Sequence, residues 1–473
     1  MAGLTNVVKH GLLLLLCVDW TWAAIPEEEL HPWYWNNKGQ QALQATLRMT
    51  RDVGMAKNLI LFLGDGKGIT TVTATRILKG QLAGFNGEET SLAVDTFPHV
   101  ALSKTYNVDQ QMPDSAGTAK TAYYVWRKSV GIVTTTRVQH ASPGANYAHT
   151  PDRSWYSNSD LPSEAVTNGC RDIAWQLVNN TEIDVILGGG RRYMFPTTVV
   201  DPEYSEHHGD RTDGKNLVNE WLKGKKNAKY VWNKADLDAV DPANTDFLMG
   251  LFEPKDCQYE YDRNKKTDPS LTQMMEKAIK ILQKNPKGYY LFVEDKGRID
   301  HGHHAGKARK ALTEAVELDR AVARAAQITS VRDTLSVVTA DHSHVFTVGG
   351  GSYRGNSILG LSRDKGTDEK HYTTAVYGNG PGYQIENGSR PDVNVSTAAG
   401  AEYRQQAAVP KSSETHAIED VEQSYIAHAM AFAACLPPYD ACVLQINRSW
   451  CLHPSGLLVL MGLLLAVFSL QSA

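Results

Sequence analysis

Between Asp300 and His304 the chain reads Asp-His-Gly-His-His, one acid and three imidazoles in five residues. An acid and a histidine four apart share one helix face, so Asp300 and His304 could grip a divalent cation together if this stretch is the first turn of a helix. Zinc accepts both carboxylate oxygen and imidazole nitrogen. A second cluster, Asp341-His342-Ser343-His344, lies downstream. Two such clusters, each behind an apolar run, are the ingredients of a two-metal hydrolytic centre, in which one ion prepares a nucleophile and the other holds the leaving oxygen. A lone histidine near a strand end is ordinarily just solvated or hydrogen-bonded; two clusters make that reading the weaker one. For an attacking group, Pro113-Asp114-Ser115-Ala116-Gly117-Thr118-Ala119 puts a serine ahead of small residues. A helix starting there would offer N–H groups and a positive dipole end to an anion. Taken alone, Asp114 or Ser115 would read as an N-cap.

The elements that must position these groups repeat one theme, an apolar run followed by a polar residue and a helical stretch. Leu59 to Leu63 runs into Gly64-Asp65-Gly66, Val130 to Val133 into three threonines, and Ile183 to Leu187 into three glycines. Tyr289 to Val293 runs into Glu294, and Leu335 to Val338 into Thr339-Ala340-Asp341-His342. Such runs read as strands buried on both faces. Helical stretches lie between them, including Leu271 to Lys284, opened by Asp268-Pro269-Ser270, and Lys307 to Ala326. The pattern predicts an α/β fold, a three-layer sandwich with a central, mostly parallel sheet flanked by helices. Ligands bind at the carboxyl ends of such strands, so the sheet would bring Asp65, Glu294 and Asp341 to one edge. No linker or repeat divides the chain, and one domain over residues 24–449 is expected.

The chain has 473 residues and a net charge of -4, which gives no basic surface for nucleic acid. Its ends carry signals. Gly11 to Val18 is a short apolar run after Lys9, with Thr21 and Ala23 as small residues at cleavage spacing. Residues 1–23 therefore read as a signal peptide. Gly456 to Leu470 is an uncharged apolar tail, and residues 450–473 read as a GPI-attachment signal removed on maturation. The expected location is the extracellular face of the cell membrane. Asn179, Asn387 and Asn394 head glycosylation sequons, as does Asn447. Of the 6 cysteines, Cys435 and Cys442 are close enough in sequence to close a small loop in an oxidising compartment. Cys170 and Cys257 have no obvious partners.

These motifs resemble those of mammalian alkaline phosphatases of the intestinal or placental, tissue-specific kind. The resemblance rests on Phe62-Leu63-Gly64-Asp65-Gly66, Pro113 to Ala119, Val133 to Pro143, Arg298 to His304, Thr339 to Phe346 and Glu414-Thr415-His416. It implies a phosphate monoester hydrolase with two zinc ions, one magnesium and one calcium. Ser115 would attack phosphorus and also contact a metal. Asp300, His304 and His416 would hold the first zinc; Asp65, Asp341 and His342 the second. Asp65, Ser142 and Glu294 would hold magnesium, an oxygen-only set suited to that ion. His140 and His344 would orient ligands or metal-bound water. Arg153 would clamp phosphate with its planar fork. Calcium would fall on Glu203, Glu253, Asp268 and the Phe252 carbonyl. The resemblance further implies a homodimer acting on small phosphate monoesters and phosphorylated macromolecules.

The chain departs from the family pattern in several places. Residues are missing after Ala119 and after Val421, and the first gap removes the cysteine that would pair with Cys170. Asp295-Lys296-Gly297-Arg298-Ile299 is one residue longer than the pattern. Lys67 puts a cation beside Asp65, and Ile418 replaces a glycine near His416. These departures keep open a catalytically impaired or misfolded family member that at most binds metal. A phosphodiesterase or sulfatase on a related fold is the other alternative, against which the Asp114-Ser115-Ala116 context and His140 argue.

Overall fold

The computed structural model describes residues 26–47, 54–102, 128–180, 182–393, 398, 400–411, 416–417 and 424–436. Seven parallel strands form one sheet in the order β4-β5-β3-β2-β6-β1-β7. They are β1 (Asn58–Gly64), β2 (Ser129–Arg137), β3 (Val185–Gly189), β4 (Ala228–Val231), β5 (Phe247–Leu251), β6 (Tyr289–Asp295) and β7 (Thr334–Thr339). Each expected run is a strand. β4 and β5 are additional, and β4 is short and partly exposed, which left no apolar run to read.

Side chains alternate across the central strands. Ile60 and Phe62 of β1 enter one apolar cluster, while Leu59, Leu61 and Leu63 enter another on the opposite face. β1 and β6 are buried at every residue, so their sequences read as continuous apolar runs. β7 closes the sheet and is half-buried throughout. Two helices cover the first face, Leu271–Leu282 and Ala308–Ile328. Ile173–Asn179 and Leu217–Leu222 cover the second. The expected start of the Leu271 helix is a capping box: Gln273 N donates to Ser270 Oγ at 3.3 Å and Ser270 N to Gln273 Oε1 at 3.0 Å.

Beyond the main sheet, β8 (Ser343–His344) pairs with β12 (His416–Ala417), and β10 (Ala375–Gly380) lies between β9 (Phe346–Val348) and β11 (Ala407–Pro410). The helices used below are α1 (Ile69–Leu82), α2 (Ala141–Ala145), α3 (Lys296–His304) and α4 (Ala308–Ile328). α3 begins directly after β6, so Asp300 and His304 occupy its later turns and not its first. The inserted stretch is accommodated as the opening turn, with Asp295 at the N-cap.

α3 and α4 meet at Gly302. A Cβ added there would lie 2.6 Å from Ala311 N and 2.9 Å from Ala311 Cβ, closer than packed atoms approach. Gly302→Ala should push the helices apart and cost about 1–3 kcal/mol. Urea unfolding at fixed metal content checks this, and an unchanged midpoint would show that the helices can part freely.

Candidate metal centre

The carboxyl ends of β1, β6 and β7 deliver Asp65, Glu294 and Asp341 to one edge, as parallel pairing requires. Leu63 is in register with both Glu294 and Thr339, so the residues that follow these strands emerge side by side. Asp65, Asp300, Asp341, His342 and His344 are all nearly fully buried.

Asp300 is the hub. Its Oδ1 lies 2.9 Å from His344 Nε2, 3.1 Å from His304 Nε2 and 3.9 Å from His342 Nε2. Burial pushes the Asp300 carboxyl up, but hydrogen bonds from His304 and His344 outweigh it and hold the group well below the carboxylate range. His342 Nε2 is 3.0 Å from Asp65 Oδ1. Its Nδ1 lies 3.1 Å from the Ser343 carbonyl, which fixes the ring with Nε2 toward the acids. Burial disfavours charge on His342, yet Asp341, Asp65 and Asp300 lift it to about 10. His344 is driven the other way, to about 4, by burial. Asp341 Oδ1 accepts from Gly66 N at 3.2 Å and from His342 N at 3.1 Å. Gly66 has φ +64°, a conformation that favours glycine, and this turn carries the chain from Asp65 toward Asp341.

Ligand atoms of Asp300, His342 and His344 lie within 4.8 Å of one another, as do those of Asp65, Asp341 and His342. Buried acids and imidazoles converging in this way match the N/O donor set of a zinc-type centre. The oxygen groups lie alongside. Glu294 Oε2 accepts from Thr134 Oγ1 at 2.9 Å, and Ser142 is fully buried in the short helix α2, next to its N-cap His140. The His140 ring stands edge-on to His301 at 5.7 Å. A third group, Glu203, Glu253 and Asp268, also lies within 4.8 Å. There burial, with Glu203 and Asp268 as like-charged neighbours, pushes Glu253 up to about 7. Three carboxylates with no nitrogen suit a hard cation such as calcium.

The same residues bear a family signature. The alkaline phosphatase family model matches residues 56–126 and 125–436. The chain belongs to the alkaline phosphatase family. It is 50% identical over 492 aligned positions to the tissue-nonspecific alkaline phosphatase of Felis catus, covering 91% of this chain and 94% of that one. The corresponding Homo sapiens isozyme is 48% identical over 91% of this chain and 94% of its own. Among solved structures, the Thermus thermophilus alkaline phosphatase superposes with TM-score 0.51 at 25% identity, over 64% of this chain and 63% of that one. The enzyme from the Antarctic bacterium TAB5 shares the fold, with TM-score 0.52 at 19% identity over 80% of this chain and 98% of its own.

Within this family member the structure brings together Asp65, Asp300, His304, Asp341, His342 and His344, and separately Glu203, Glu253 and Asp268. Phe252 is buried beside Glu253, its N–H donating to Gly188 O at 2.8 Å. Arg153 is half-buried in the turn where Asp152 accepts from Ser154 N at 2.8 Å. Ser115 lies outside the described residues, as do Asn394, Cys442 and Ile418; for His416 only the backbone pairing with His344 is described. Cys170 is a free thiol, and so is Cys257. Lys67 is buried. Its side chain lies along Gly64 and faces Asp319, Asp295 and Asp95, and burial lowers its pKa. Sequence reasoning missed Thr134 and Thr135, which donate at 2.9 Å to the adjacent acids Glu294 and Asp295. Their signal was present, since three threonines end the β2 run. It also missed Asp256, which Arg137 grips at 2.7 and 2.8 Å beneath His301.

A cation held by this set binds only the folded chain. Zinc at a hundred times its dissociation constant should stabilise the protein by about 2.7 kcal/mol. Differential scanning of metal-stripped and zinc-loaded protein should show the shift, and Asp300→Ala should abolish most of it. Equal melting temperatures with and without zinc would mean that the clusters do not grip the ion.

Proposed function

We propose that this chain is a metal-dependent phosphatase that hydrolyses phosphate monoesters at alkaline pH through a phosphoseryl intermediate on Ser115. The observation that carries this reading is the convergence of Asp65, Asp300, His304, Asp341 and His342 at one sheet edge, in a chain half identical to vertebrate alkaline phosphatases. Asp300, His304 and His416 would hold one zinc and Asp65, Asp341 and His342 another. Asp65, Ser142 and Glu294 would hold magnesium, and Glu203, Glu253, Asp268 and the Phe252 carbonyl calcium. Bound there, such cations neutralise phosphate oxygens and make a water ionisable near neutral pH.

The chain's own groups supply the rest. Ser115 is the nucleophile, and the bond it forms to phosphorus replaces the ester oxygen that departs. Water then attacks the phosphoserine and releases inorganic phosphate, restoring the hydroxyl. Arg153 binds two phosphate oxygens and orients the group for in-line attack. Thr134, His140 and His344 keep the ligand side chains aimed.

The chain is further read as an exported homodimer held on the outer cell surface by a GPI anchor, with residues 1–23 and 450–473 removed and a Cys435–Cys442 disulfide. Asn179 and Asn387 are exposed, as glycan acceptors must be. The intestinal or placental subtype rests on the motifs, since the vertebrate relatives compared above are tissue-nonspecific isozymes. An alignment of 492 positions, more than the 473 residues of the chain, fits a chain shorter than its relatives, and a family match divided near residue 125 fits the first gap. They favour, as a second reading, a family member that binds metal without turnover.

Secreted protein ending near Cys442, supplied with zinc and magnesium at alkaline pH, should hydrolyse a chromogenic phosphate monoester, and Ser115→Ala should lower kcat at least a thousandfold, about 4 kcal/mol of barrier. Phosphodiester and sulfate ester should turn over far more slowly. Folded, metal-loaded protein without turnover would establish the second reading, and preference for diester or sulfate would replace the assignment.

A further inference from the structure

His303, like His301, has no ligand role in the reading above, yet it is completely buried. Both ring nitrogens are engaged. Nε2 lies 3.1 Å from Thr71 Oγ1 on α1, and Nδ1 lies 2.8 Å from the Tyr377 hydroxyl on β10. The ring packs on His344 with centroids 4.7 Å apart and planes tilted by 37°, and on Phe346 at 5.0 Å. His344 is the group whose Nε2 sits 2.9 Å from Asp300 Oδ1. A continuous line of contacts therefore runs from Tyr377 through His303 and His344 to Asp300.

The surroundings make that line stiff. Tyr377 and Phe346 are buried together with Ala308, Leu312 and Val316 of α4 and with Ala74 and Leu78 of α1. Two hydroxyls on different elements fix the plane of the His303 ring, and a fixed ring leaves its stacked neighbour little freedom to rotate. A metal centre tolerates only about 0.5 Å of ligand misplacement, so whatever holds His344 also bears on where Asp300 points.

We propose that His303 is a positioning residue: the Thr71–His303–Tyr377 bridge locks His344 against Asp300 and so sets the aim of Asp300 at its metal. The inference rests on Asp300 being a metal ligand. The competing account is a satisfied core histidine that contributes stability alone.

Equilibrium zinc affinity, measured by competition with a chromophoric chelator, separates the two when the melting temperature of the metal-free protein is measured alongside. Tyr377→Phe keeps the shape of the side chain and removes one hydroxyl. It should weaken zinc at the Asp300 site about tenfold, the low end of what outer-shell partners of a metal ligand contribute. Thr71→Val, which keeps shape at the other end of the bridge, should act in the same direction. In an Asp300→Ala background neither change should alter the residual zinc affinity. Turnover by Tyr377→Phe at saturating zinc should recover toward wild type with KM unchanged. Zinc affinity within twofold of wild type in both variants, with or without a lower metal-free melting temperature, would overturn the proposal while leaving Asp300 as a ligand. A wild-type chain without zinc affinity would overturn both, and the wild-type measurement distinguishes the two failures.

Discussion

Several carboxylates are forced out of water onto one edge of a parallel sheet, and most of the structure answers to that constraint. Asp65, Asp300 and Asp341 are each almost completely buried, where an apolar interior opposes a charged carboxylate. The acids drive His342 toward its charged form, while burial disfavours charge on His344 and His303. The imbalance is what a divalent cation corrects, and the imidazoles are arranged so that nitrogen and oxygen donors converge where it would sit.

The scaffold achieves this by separating tasks. Strands buried on both faces fix the height at which Asp65 and Glu294 emerge, and neighbouring β2 supplies the hydroxyls that steady Glu294 and Asp295. α3 adds Asp300 and His304 on one face, and its position relative to the sheet depends on the close approach of Gly302 to Ala311. Polar groups are thus held by elements whose stability comes from apolar packing, so the electrostatic cost of the centre is borne by the two hydrophobic clusters behind it.

Much of this was legible in the chain. The continuous apolar runs announced β1, β2, β3, β6 and β7, and their polar terminations announced the edge at which chemistry gathers. The periodicity of Leu271–Leu282 and its Ser270 cap were equally plain. What stayed hidden depends on contacts between distant residues. β4 and β5 are short pieces, β5 pairing with β3 and β4 in turn with β5, and the small sheets around β8 and β10 have no local signature. Lys67 was read as a cation beside a cation site; sequence gives the neighbour but not the surrounding acids, which include Asp319 and Asp295. His303 was one of three histidines in a short run and was given no role of its own. Only the fold reveals that Thr71 and Tyr377 occupy both its nitrogens.

The candidate ligands are also spread over segments far apart in the chain. Asp65 follows β1, Asp300 lies on the helix after β6, and Asp341 follows β7. The Asp65–Asp341–His342 group and the neighbouring Asp300 group each join residues distant in sequence, and both need β1 in its place between β6 and β7. A chain with a mispaired central sheet would not bring these acids together, so metal uptake would report a completed topology.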